Sequence, residues 1–161
     1  LDLRPARPGL ATMADLPGSV LFACGRNAIR SPMAECILKH YHGRRIFVDS
    51  VGARPDGNGV DPFAVAIMTE MGLDLSAHKP KSFDELQDDS FDLIVTLEPA
   101  AQHRAIEMTR TAAVDLEYWP TPDPTAVDGS RDQRMNAYRE VRQYLIGRIL
   151  ERFPLNPMAP L

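Results

Sequence analysis

A short apolar run that ends on a thiol, followed six residues later by a guanidinium at the start of a helix, constrains this chain more than any other feature. Ser19 to Glu35 reads SVLFACGRNAIRSPMAE. Val20-Leu21-Phe22-Ala23 has the continuous apolar character of a strand buried on both faces. It stops at Cys24, and Ser31-Pro32 opens a run with helical periodicity. Proline suits the first helical turn, where no N–H is required. Five residues separate Cys24 from Arg30, few enough to turn their N–H groups toward one centre. Gly25 and Asn27 both tolerate left-handed backbone. Such donors, with a helix N-terminus behind them, favour an anion and a thiolate. Arg30 has the planar fork that grips two oxygens at once. Ser31 is placed to cap the helix or to reach the sulfur. A Cys and an Arg at this spacing also describe a structural cysteine and a surface arginine. The strand before them, Gly25 and Asn27 between them and Ser-Pro after them favour a loop that holds a phosphate-like oxyanion.

The 161 residues suit one domain, expected over 19–153, with a poorly structured leader over 1–18 and a short tail over 154–161. Eighteen basic against 22 acidic residues leave a net charge of −4, and no basic block points to nucleic acid. No apolar run approaches membrane-spanning length. Two cysteines, Cys24 and Cys36, do not make a disulfide framework. Cys36 reads as a core or boundary residue inside the first helix. His40 and His42, at that helix's end, read as surface residues without the acidic or thiol company that a metal needs.

Further strands are expected over 46–48, 91–97 and 113–118. Helices are expected over 31–41, from Asp61-Pro62 to a Gly72 cap, over 100–109 and over 130–153, with a Ser82–Glu85 capping box between the second and third. The Arg, Glu and Gln residues of the last helix are expected to face solvent. Trp119-Pro120-Thr121-Pro122-Asp123-Pro124 is a stiff loop, because each proline restricts itself and its predecessor. Strands alternating with helices imply an α/β fold: a four-stranded parallel sheet with helices on both faces. Ligands in such sheets sit beyond the strands' C-terminal ends. Cys24, Ser50, Glu98 and the proline-rich loop all follow strands, and so are expected on one rim.

These residues resemble the low-molecular-weight protein tyrosine phosphatase family over roughly 19–153, with the thiol-dependent arsenate reductases as its neighbouring branch. The resemblance rests on Cys24-x5-Arg30-Ser31-Pro32 together with Asp123-Pro124 near the end of the chain. It implies a phosphatase-type loop after the first strand, a cytoplasmic location, no metal and no cofactor. It makes Cys24 the nucleophile, Arg30 the oxyanion clamp and Asp123 the general acid. Gly25, Arg26, Asn27, Ala28, Ile29 and Ser31 become the phosphate-binding loop. Asn27 becomes its left-handed residue, supported by Ser31, Ser50 and His78. The implied reaction is phosphomonoester hydrolysis through a phosphocysteine, on phosphotyrosine protein or a small aryl phosphate, with inhibition by phosphate-like oxyanions.

Departures from the family pattern bear on protection of the thiol and on the substrate. Ile29 stands where many relatives carry a second cysteine, so a protective disulfide with Cys24 is not expected. Thr125 and Ala126 follow Asp123-Pro124 where aromatic residues are common, so an aromatic wall has to come from Trp119 or elsewhere. Arg26 adds positive charge at the mouth. The stretch from Ser50 to Leu86, and the strand FDLIVTL over 91–97 after it, resemble the reductase branch, but no thiol follows Glu98. The alternative is therefore an arsenate reductase served by an external thiol or by a glutaredoxin- or thioredoxin-type partner. An anion-binding module without turnover is a third reading, against which the joint presence of Cys24, Arg30 and Asp123 argues.

Overall fold

The computed structural model describes residues 16–88, 90–110 and 112–155; most of the expected leader and tail lie outside these described residues. Four parallel strands, β1 (Ser19–Cys24), β2 (Phe47–Gly52), β3 (Leu93–Thr96) and β4 (Asp115–Tyr118), form one sheet in the order β2-β1-β3-β4. The helices are α1 (Arg30–His42), α2 (Pro62–Thr69), α3 (Pro99–Met108) and α4 (Arg131–Arg152), and a 3₁₀ turn spans Phe83–Glu85. Alternation along β1 explains its unbroken apolar run. Val20 and Phe22 face a core built with Met33 and Ile37 of α1, Ile67 of α2 and Val141 and Leu145 of α4. Leu21 and Ala23 face a second core with Phe83 and with Ala101 and Ala105 of α3. Both faces of the sheet are thus covered, as a parallel sheet requires. Among the described residues no helix is long and apolar enough to cross a membrane.

Local signals place the elements. Asp61 caps α2 through Phe63 N and Ala64 N, with Pro62 in the first turn. Gly72 takes φ 75°, and the next N–H, of Leu73, returns to Met68 O at 3.1 Å. The Ser82–Glu85 capping box forms, and a second one, Ser130 with Gln133, opens α4.

Several expectations need correction. β2 runs on past Asp49, because β1 pairs with it as far as Cys24 opposite Gly52; Ser50 lies within the strand, not after it. His42 is buried at 1% exposure, with Nε2 2.8 Å from Phe153 O, where a surface residue was expected. Trp119 is also buried, at 2%, between Phe22 and Phe153, and so offers no wall to a substrate. Arg142 of α4 is not turned to solvent: it donates to Ile67 O and to Glu70.

β1 is where the strand order turns. β2 lies on one side of it and β3 on the other, so a crevice opens beyond the C-terminal ends of β1 and β3. Cys24 is the last residue of β1.

Candidate active site

The loop after Cys24 is shaped by side chains buried beneath it. Asn27 has φ 58°, the only positive φ at a non-glycine among the described residues. A short polar side chain tolerates that conformation when it bonds locally. Asn27, Ser31 and Ser50 are each fully buried, and every polar atom of the Asn27 amide is used. Nδ2 donates to Ser31 Oγ at 2.9 Å and to Ser50 Oγ at 3.0 Å. Oδ1 accepts from Lys81 N at 3.0 Å and lies 3.1 Å from His78 Nε2. His78 Nε2 is also 3.1 Å from Asn27 O. Both of its partners are acceptors, so Nε2 carries the proton. Burial lowers the imidazole's pKa, against the opposing charge of Glu35, which favours the neutral ring. Ser50 Oγ donates its own hydrogen bond to Glu35 Oε1 at 2.6 Å.

Ser31 does not cap α1. Its hydroxyl sits 2.9 Å from Cys24 Sγ and 3.3 Å from Val51 O. It accepts from Asn27, so its single proton goes to one of those two acceptors, and the sulfur is nearer. Gly52 completes the cradle from behind: a Cβ there would come within 2.7 Å of Asn27 N and of Gly25 O. Arg54 N closes the turn onto Gly25 O at 2.7 Å. Among the described residues no acceptor takes the N–H groups of Gly25 to Ile29. They are left for an anion, at the N-terminal end of α1.

Cys24, Arg26, Ala28, Ile29, Arg30 and Asp123 line one hollow. Arg30 is held from outside by Glu98, whose Oε2 accepts from Nη2 at 2.8 Å, and by Thr121 O, which accepts from Nη1 at 3.0 Å. A guanidinium has five N–H donors, so an oxyanion still finds free ones. Gly25 faces Glu98 too: a Cβ at that position would lie 2.7 Å from Oε1. Glu98 and Thr121 carry no site role in the sequence reading beyond their place on the rim. The available signal was that Glu98 follows a buried strand, and nothing local tied it to Arg30. Arg26 pairs with Asp56 at 3.4 Å and stays partly exposed at the mouth. Cys36 is half-buried on α1, and burial raises its pKa.

Asp123 stands at the mouth on the proline-rich loop. Burial pushes its carboxyl up, but the Thr125 hydroxyl at 2.7 Å, the Thr125 N–H at 2.9 Å and the charges of Arg30 and Arg26 outweigh this and hold it below the usual carboxylate range. An anion in the hollow offsets those two guanidinium charges and raises the carboxyl again. A groove of about 390 Å³ adjoins the hollow, shares Arg30 and Asp123 with it, and is walled by Tyr118, Pro99 and Pro122. Among the described residues no group of three or more His, Cys, Asp or Glu side chains is placed to hold a metal.

A family model described as low molecular weight phosphotyrosine protein phosphatase matches residues 19–149. An arsenate reductase of Halalkalibacterium halodurans is 32% identical over 131 residues, 81% of this chain and 91% of the relative. The low molecular weight protein-tyrosine-phosphatase Wzb of Escherichia coli K12 is 34% identical over 114 residues, 66% of this chain and 77% of its own. A solved arsenate reductase in the phosphate binding state superposes with a TM-score of 0.62 at 28% identity, covering 81% of this chain and 92% of that one.

Proposed function

The chain belongs to the low molecular weight phosphotyrosine protein phosphatase family, and from that premise we propose that it hydrolyses phosphomonoesters, phosphotyrosine or aryl phosphate, through a phosphocysteine on Cys24. The observation that carries the reading is the meeting, in one hollow, of the Cys24 thiol, a loop whose N–H groups have no acceptor among the described residues, a braced guanidinium and the carboxyl of Asp123. A binding module needs neither the thiol nor the acid.

In the first step the Cys24 thiolate attacks phosphorus in line. The S–P bond forms as the P–O bond to the leaving group breaks. Asp123, in its acid form, gives its proton to the departing oxygen. The N–H groups of the loop and Arg30 bind the equatorial oxygens, where charge is spread in the transition state. In the second step a water oxygen attacks phosphorus, Asp123 takes the water's proton, and the S–P bond breaks to return the thiolate. The Ser31 hydroxyl, 2.9 Å from Sγ, stabilises the thiolate as it leaves. Oxyanion binding is supported by the 28% identical arsenate reductase solved in the phosphate binding state.

A second reading, arsenate reduction, is favoured by the 32% identical relative over nearly its whole length. It needs two reducing equivalents from outside this site. Cys36 is the only other cysteine of the chain and lies within α1, so an external thiol or a glutaredoxin- or thioredoxin-type partner has to be oxidised for each arsenite formed. The test is a paired assay on one preparation, with Cys24→Ser as the blank. Aryl phosphate hydrolysis without arsenate-dependent thiol oxidation supports the phosphatase. Arsenate-dependent thiol oxidation beside weak hydrolysis replaces it with the reductase.

A further inference from the structure

The segment leading into Asp123 is gripped along one side by three α4 residues spaced four apart. Tyr144 Oη donates to Pro120 O at 3.0 Å. The Arg148 guanidinium lies over the Trp119 ring, 5.0 Å from its centroid. Arg152 Nε donates to Glu117 Oε2 at 2.7 Å, and Glu117 Oε1 accepts from Trp119 Nε1 at 3.1 Å. Residues four apart stack along one face of a helix, so the three form a single stripe against residues 117–120. On the opposite side the loop is held by backbone bonds to β3 and the residue after it, Trp119 N to Thr96 O at 2.8 Å and Thr121 N to Leu97 O at 3.0 Å, and by Arg30 on Thr121 O.

We propose that Tyr144, Arg148 and Arg152 are positioning residues for the acid, setting how far Asp123 stands above Cys24; the inference rests on the reading of Asp123 as general acid. The physical link is the loop's stiffness. Pro120, Pro122 and Pro124 each fix their own φ and narrow the residue before them. The prolines therefore leave few free torsions between Pro120 and Asp123 to take up a displacement at Pro120. In a glycine-rich loop the same anchor would have no such reach. A role in stability alone would lower all activity together. Misplacing the acid costs only where the leaving group needs its proton.

The experiment compares kcat/KM for phenyl phosphate, a poor leaving group, and dinitrophenyl phosphate, a good one. The variants are Tyr144→Phe, Tyr144→Phe with Arg148→Met, Asp123→Asn, and Arg139→Gln. Arg139 is the control: it sits on α4 but pairs with Glu70, away from the loop. Expected for the double variant is a loss of about tenfold on phenyl phosphate and under about twofold on dinitrophenyl phosphate. Tyr144→Phe keeps the ring and is expected to show the same pattern at about threefold, which keeps the test open if the double variant folds poorly. Arg139→Gln is expected to leave the ratio of the two substrates unchanged. Equal losses on both substrates, or none, with Asp123→Asn still selective for the poor leaving group, overturn the positioning role and leave the acid standing. An Asp123→Asn variant that treats both substrates alike overturns both.

Discussion

The loop that carries Cys24 and the loop that carries Asp123 face the same hollow, yet they are held by opposite means. The first is fixed from beneath. Asn27, Ser31 and Ser50 are fully buried, and the amide of Asn27 spends all its hydrogen-bonding capacity on holding the turn. The second is fixed by covalent restriction and by its ends: three prolines within five residues, β3 on one side and α4 on the other. The tasks differ accordingly. The first loop leaves several backbone donors without an acceptor among the described residues, which demands unusual dihedrals and a buried scaffold to hold them. The second presents one carboxyl, for which a narrow range of φ and a firm anchor suffice.

The contrast can be broken at either loop. Asp123→Asn is expected to lower the first chemical step on a poor leaving group by about 10²–10⁴-fold, with little loss of stability, since the side chain's bonds go only to Thr125. Single-turnover kinetics read this directly. Arg30→Lys is expected to cost about 10²-fold in kcat/KM and to weaken inhibition by inorganic phosphate. Lysine carries the charge but not the fork, and it also gives up the Glu98 and Thr121 anchors. Unchanged turnover and phosphate inhibition would contradict the clamp.

Asn27→Ala sharpens the comparison from the other side. It removes the partner of Ser31, Ser50 and Lys81 N and puts alanine in left-handed backbone. It is expected to destabilise the fold by about 2–4 kcal/mol in denaturant titration as well as to slow catalysis. Asn27→Gly is expected to recover only the backbone part. The smallest effect is expected from Thr125→Val. The Thr125 hydroxyl favours the ionised form of Asp123, so losing it raises the carboxyl's pKa. In the proposed reaction the acid works in its protonated form, and the alkaline limb of kcat/KM for a poor leaving group is therefore expected to move to higher pH.

How much of this could be read from the residues follows from how far each contact reaches along the chain. The Cys24-to-Arg30 loop, the Asp61 and Ser82 caps and the proline-rich segment are written in neighbouring residues, and the four-stranded parallel sheet follows from their alternation. Asn27 was legible because left-handed backbone has few tenants. Glu98 was not, since its partner Arg30 lies 68 residues away. His42 looked like a surface residue because its partner, Phe153 O, is 111 residues off. Trp119 sits beside prolines at a loop start, which suggests exposure. The approach of Phe22 and Phe153, with Arg148 over its ring, buries it. Asp49-Ser50 resembles a turn and hides the end of β2, whereas pairing with β1 carries the strand on to Gly52.

The most direct test of the account is a rapid acid quench of the enzyme with excess aryl phosphate, followed by mass analysis of the peptide that holds Cys24. The account expects a burst of phenol matching the enzyme concentration and one phosphoryl group on Cys24 that disappears as phosphate is released, with neither seen in Cys24→Ser. Steady hydrolysis with no phosphoryl group on Cys24, or hydrolysis that persists in Cys24→Ser, would contradict it.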